Sequence, residues 1–241
     1  EHGGQTIYAG GDDVLAMHPL PEALCCATRL AKCYRQAFEN HADATLSATV
    51  LFAHVRSPLI AVINEAHRLL DNVAKDENGR DSLAVGILKS GELNCQWVTT
   101  WRREQRDAVA CLNDLVTFLK SSATEPCLSS AIVYRIRSTL SRLCEQHLWC
   151  PGSWGEMPAG LDVPALLRAE IGHSLEIRTG EDHMDTHTAD LTDRVWHLMQ
   201  RSPAPSSNKT TKACCGKVKV GLDALLLARF LARTVNGEAD A

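Results

Sequence analysis

Ile7-Tyr8-Ala9-Gly10-Gly11-Asp12-Asp13-Val14-Leu15-Ala16-Met17 is the stretch on which the fold turns. Two apolar runs flank two glycines and two adjacent carboxylates. Glycine tolerates positive φ, so a Gly-Gly step lets a chain reverse tightly between paired strands. The spacing predicts a β-hairpin with Asp12 and Asp13 at its tip, beside a backbone bare enough for a nucleotide to approach. Carboxylate oxygens are hard ligands suited to Mg²⁺ or Mn²⁺, and such ions hold triphosphates. Taken alone, the tetrad reads equally well as an acidic surface turn.

Downstream, Pro19 and Pro21 mark a break and a helix start. Leu20, Ala23, Leu24, Ala27, Leu30, Ala31, Tyr34 and Phe38 then recur at helical spacing. Residues 45–54 read as a strand covered on both faces. Ser57-Pro58 starts a second helix, with a stripe of Leu59, Val62, Ile63, Ala66, Leu70 and Val73, and Asn78-Gly79 is its turn signal. Residues 82–89 form another apolar strand. Helices alternating with strands predict α+β architecture, with the helices on one face of an antiparallel or mixed sheet. From about Trp97 the pattern becomes helical, with stripes at 109–119 and 133–143, further helices at 164–177 and 188–200, and a last apolar helix around Leu222–Leu231. The expected division is therefore residues 1–96, α+β, and residues 97–241, an all-α helical bundle.

The chain has 241 residues, 45% of them hydrophobic, and a formal net charge of −4. No global basic field advertises nucleic acid or membrane binding, so any such contact must be local. No signal peptide and no apolar run of transmembrane length is evident. The chain lacks an initial Met and opens almost on the hairpin, which suggests a piece of a longer protein. Ten cysteines include no Cys-x-x-Cys pair, and Cys25-Cys26 and Cys214-Cys215 are adjacent. That pattern predicts free, mostly buried thiols in a reducing cytoplasm rather than zinc or disulfides. His183 and His187 lie four apart, but the metalloprotease glutamate is missing, so a solvated loop is expected. Lys209, Lys212, Lys217 and Lys219 form a basic run, read as a solvated loop or a contact with RNA or a partner subunit.

Tyr8 to Ala16, Thr45-Leu46-Ser47-Ala48, and Ala74-Lys75 with Gly79-Arg80-Asp81, taken in order, resemble one family. It is the large, polymerase-like subunit of type III CRISPR effector complexes, most like the Cmr (III-B) version. The resemblance covers residues 5–95 well and the helical remainder more loosely. It implies an incomplete ferredoxin-like cyclase palm (GGDEF-like) that polymerises ATP into cyclic oligoadenylate when target RNA is bound. It implies Asp12 and Asp13 as ligands of two Mg²⁺ or Mn²⁺ ions, and Gly10 and Gly11 as the bare backbone beside the nucleotide. Lys75 and Arg80 occupy positions where related cyclases place phosphate-binding bases; a solvated helix end is the plain alternative. Other subunits, guide RNA and target RNA are the implied partners, with no membrane. Such palms supply another metal carboxylate from an earlier strand, which would lie before Glu1. This stretch alone is therefore expected to be inactive. No His-Asp dipeptide marks a nuclease domain.

Two other readings stand beside this one. A diguanylate cyclase shares the hairpin, but it usually follows the acidic pair with Phe, where Val14 stands here. Its inhibitory Arg-x-x-Asp would fall near Glu1-His2-Gly3-Gly4. A catalytically degenerate palm acting as a scaffold is the non-enzymatic reading. Two neighbouring carboxylates that repel each other and serve no structural purpose argue against it.

Overall fold

A computed structural model describes residues 3–41, 43–101, 107–120, 131–144, 150–179, 184–200 and 218–235. The acidic stretch folds as the antiparallel hairpin β1 (Gln5–Gly10) and β2 (Asp13–Met17), in register Gly10 to Asp13, Ala9 to Val14 and Tyr8 to Leu15. The register slips by one residue at Ile7, between Thr6 and Tyr8. Gly11 takes φ +63°, whereas Asp12 keeps a negative φ. A left-handed first central residue is what a glycine-led two-residue hairpin turn needs.

Helix α1 (Leu20–Ala37) follows, with proline in its first turn and Arg35 in its last. It leads to a mixed sheet of β3 (Ala48–Ala53), β4 (Ser82–Lys89) and β5 (Glu92–Thr100), in the order β3-β4-β5. β3 runs parallel to β4, and β5 antiparallel to it. Between β3 and β4 the chain makes helix α2 (Leu59–Arg68), which widens into a π-helical stretch, Leu69–Glu77. The hairpin β1–β2 is a sheet of its own.

Strand periodicity assigns the two faces of the three-stranded sheet. Phe52, Leu83, Val85, Ile87, Cys95 and Trp97 join Leu24 of α1 in the larger core. Leu51 and Ala84 face the other way, where Leu69, Val73 and Ala74 of the π-helical stretch pack on them. The helices flanking β3 thus cover opposite faces, not the single face expected. That double cover explains why Ser82 to Leu88 are all buried, the signature of a strand sandwiched on both sides.

The α+β class holds, but the expected division at residue 96 falls inside β5. The β4–β5 turn, Ser90-Gly91, puts both residues at positive φ (52° and 83°), the requirement of a tight two-residue hairpin. Beyond it come α3 (Ala108–Leu119), α4 (Ala131–Leu143), α5 (Val163–Thr179), α6 (Met184–Met199) and α7 (Asp223–Val235). Two short strands, β6 (Gly155–Glu156) and β7 (Lys219–Val220), pair antiparallel among them. Asp107 caps α3 by accepting from the Val109 and Ala110 N–H groups at 2.9 and 3.2 Å. α7 packs on α3 and on β5, and its Phe230 ring stacks at 5.6 Å from Phe52. One continuous core therefore runs from the sheet into these helices.

Asp223, the first residue of α7, ties that junction. Its carboxylate accepts the Gln96 N–H on the outer edge of β5 at 2.8 Å and the Gly152 N–H at 3.0 Å. The Cys95 thiol donates to the Asp223 carbonyl at 3.2 Å. An edge strand is thereby capped by a helix terminus instead of being left open.

Among the described residues, Cys25, Cys26, Cys33, Cys95, Cys111, Cys144 and Cys150 take part in no disulfide. Burial is more mixed than expected. Cys95 and Cys111 are buried, but Cys25 and Cys33 are exposed because they fall off the Leu24–Ala31 stripe of α1. Cys127, Cys214 and Cys215 lie outside the described residues, as do His183, Lys209, Lys212 and Lys217. Lys219 pairs with Glu156 at 3.3 Å. His187 falls within α6 rather than in the loop expected of it. No described helix is long and apolar enough to cross a membrane.

Candidate nucleotide and metal site

The hairpin turn sets the site. Gly11 and Asp12 form the turn itself, and Asp13 opens β2 opposite Gly10. Asp12 and Asp13 are both exposed at the apex. Residues directly opposite in an antiparallel pair share a face. Gly10, Asp13, Tyr8 and Leu15 therefore line one side of the hairpin, and Ala9 and Val14 the other.

The two glycines are not equivalent. A Cβ at Gly11 would meet nothing within 4 Å, so the backbone there is open to a ligand. A Cβ at Gly10 would come within 2.6 Å of the Tyr8 hydroxyl, so the phenol ring lies over that backbone. A ligand reaching Gly10 must displace a side chain, and the one in the way is exposed and rotatable.

Lys75 and Arg80 are placed on different terms. Lys75 sits near the end of the π-helical stretch and pairs with Asp71 at 2.7 Å, which holds the Asp71 carboxyl below its usual range. The following loop has three consecutive residues at positive φ: Gly79 (81°), Arg80 (69°) and Asp81 (46°). Such a run is strained wherever the residue is not glycine. It is pinned from below by Asn78, which donates to Ser82 at 2.9 Å, and by backbone bonds from Gly79 to Lys75 (3.2 Å) and from Arg80 to Ala74 (3.1 Å). Arg80 is consequently held at the surface by a rigid turn. Both basic residues belong to the structure packed on β3-β4-β5, not to the sheet that carries Asp12 and Asp13. The expectation that the four act as one site is a matter for the proposal below.

Among the described residues no group of three His, Cys, Asp or Glu is arranged to hold a metal. Asp12 and Asp13 fit a divalent ion as a partial donor set. Mg²⁺ is commonly held by one or two carboxylates, with waters and substrate phosphates completing the shell. Tyr8 is the feature of the site that the spacing did not single out. Its signal was legible: an aromatic two residues before Gly10 on an alternating strand must share its face.

A glycine-turned acidic hairpin, a following helix and a mixed sheet define a nucleotide-cyclase-like palm. The comparisons agree. Residues 1–84 match the family model of Cas10/Cmr2, second palm domain. The chain is similar to the CRISPR system Cmr subunit Cmr2 of Pyrococcus furiosus, 44% identical over 89 residues, which are 36% of this chain and 10% of that protein. It is also similar to the CRISPR system CMR subunit Cmr2 of Saccharolobus solfataricus, 28% identical over 113 residues, 38% of this chain and 10% of the relative. The chain thus spans about a tenth of the length of the curated relatives it matches.

Proposed function

We propose that this chain contributes the acidic half of a nucleotidyl-transfer site in the large subunit of a type III CRISPR complex, one that makes cyclic oligoadenylate from ATP. The observation that supports the reading most is the hairpin apex, where two exposed carboxylates stand next to an open glycine backbone. Two divalent ions bound there would lower the pKa of an attacking ribose hydroxyl and neutralise charge on the triphosphate. Asp12 and Asp13 would hold those ions, Asp13 facing Gly10 and Asp12 projecting from the turn. Gly11 leaves room for phosphate oxygens against the backbone. Lys75 and Arg80 would serve as phosphate contacts, and Lys75 would first have to leave Asp71.

Among the described residues β3 pairs with β4 alone, and β1–β2 stands as a separate sheet. Helix α1 connects β2 to β3 as a crossover does, which leaves room for a strand between them. That arrangement supports a further carboxylate-bearing strand entering from elsewhere in the longer protein. The described chain alone would then turn over no ATP. Guide RNA, target RNA and the other subunits would act on the palm through that larger assembly, in the cytoplasm.

The test is product analysis on the whole complex with target RNA, offered ATP and GTP separately. Cyclic oligoadenylate formation should disappear in the Asp12→Ala, Asp13→Ala variant. Products unchanged in that variant would leave the palm as a scaffold, and a cyclic guanylate product would make the chain a diguanylate cyclase instead.

A further inference from the structure

Tyr8 is 56% exposed and Leu15, directly across the hairpin, is 40% exposed, an exposure shared by Ile7, Val14 and Met17, so what sets the pair apart is its place on the face of Asp13. An aromatic–aliphatic pair of this kind normally finds cover, because each ring or branched chain buried stabilises the fold by one to three kcal/mol in rough terms. Here it is open to solvent on the same face as Asp13 and Gly10. The Tyr8 ring leans along the strand toward the acidic end, close enough to fill the space a Gly10 side chain would occupy.

We infer that Tyr8 and Leu15 form a platform for the nucleobase of the substrate, with Tyr8 the residue that positions a purine nucleotide relative to Asp13. The inference rests on the acidic pair being a metal–triphosphate site and extends it to the other end of the nucleotide. Two residues along a strand span about 7 Å. That is the reach from a base to its own phosphates, so a nucleotide whose phosphates sit at Asp13 lays its base over Tyr8 and Leu15. Without ligand, the ring folds down on Gly10 and covers the backbone. With ligand it swings off, exposing Gly10 to the ribose and phosphate while its face meets the base. Exposed side chains change rotamer in nanoseconds or less, so this closure imposes no slow step. An aromatic face stacks on any base, and a purine offers the larger area.

The experiment is calorimetric titration of the full chain with two ligands in Mn²⁺: ATP, and inorganic triphosphate, which has the phosphates and no base. Tyr8→Ala should weaken ATP by roughly five- to a hundred-fold, the range for loss of one base–aromatic stack, and leave triphosphate affinity unchanged. Tyr8→Phe keeps the ring and should bind ATP as the parent does. Leu15→Ala should weaken ATP by a smaller factor, again without touching triphosphate. Asp13→Asn should remove both ligands. Equal loss of both ligands in Tyr8→Ala would mean that Tyr8 only supports the hairpin, and no loss of either would mean that the base lies elsewhere; each overturns the inference and leaves the acidic site standing. Absence of any Asp13-dependent binding of either ligand would overturn the acidic site as well.

Discussion

Asp223 carries the sharpest test at the scale of a single residue. Burial pushes its carboxyl up from the ordinary 3.8 to about 6, against the pull of the Gln96 and Gly152 N–H groups and of Cys95. The native state therefore binds this proton more tightly than the unfolded chain does. The group's contribution to stability is full below pH 3.8 and is lost as pH rises through 6. Comparing wild type with Asp223→Asn in thermal melts from pH 4 to 7 isolates it. The wild-type advantage should be greatest at the acid end and shrink toward neutrality, by an amount on the order of 2–3 kcal/mol. Burial also pushes the Cys95 thiol well up, so it stays protonated and keeps donating to the Asp223 carbonyl. In the sequence Asp223 falls within the expected last apolar helix, and nothing local marks it out. Only the tertiary contact, 127 residues away at Gln96, reveals its role. Asp12, Asp13 and Gly11 were readable because their meaning is local: a two-residue turn between alternating runs fixes where they point.

The elements divide the same way. Helix α1 and the stripes of α3 and α4 follow from 3.6-residue spacing, and they formed where that spacing placed them. β5 was missed, although Leu93, Cys95, Trp97 and Thr99 alternate inward with more polar neighbours and Ser90-Gly91 is a hairpin turn. The π-helical stretch had no local signature. Leu69, Val73, Ala74 and Asn78 line up only because bonds such as Asn78 to Val73 close over five residues. What makes that stretch fit is Gly86 on β4, where a Cβ would approach Leu69 to 2.7 Å and Leu51 to 2.9 Å. Gly86→Ala overpacks the contact between the π-helical stretch and the sheet and should cost about 1–3 kcal/mol. Urea unfolding of the variant measures it. A midpoint equal to or above the parent's would show that Leu69 gives way freely and that Gly86 is not what makes the stretch fit.

For the molecule as a whole, the family match ends at residue 84, within β4, yet the packing does not stop there. β5 completes the sheet, α7 covers its edge, and the larger core joins both halves. A chain ending at residue 96 would keep half of β5 and expose Val85, Ile87 and Phe52 to water. It should show no cooperative thermal transition, whereas the full chain should melt in one. Independent folding of residues 1–96 would restore the division drawn from the change to helical spacing. That division failed to anticipate the shared core because helical spacing reports which face of a helix is apolar and not what the face is packed against.

The central claim is that the doubled acid of the hairpin binds divalent cations together with a nucleoside triphosphate. Its most direct test is electron paramagnetic resonance of Mn²⁺ titrated into the full chain with ATP, read as depletion of the signal of Mn²⁺ not bound to protein. The account predicts depletion that requires ATP and disappears in the Asp12→Asn, Asp13→Asn double variant, with the fold intact by circular dichroism. The same depletion in parent and variant, or none in either, would contradict it.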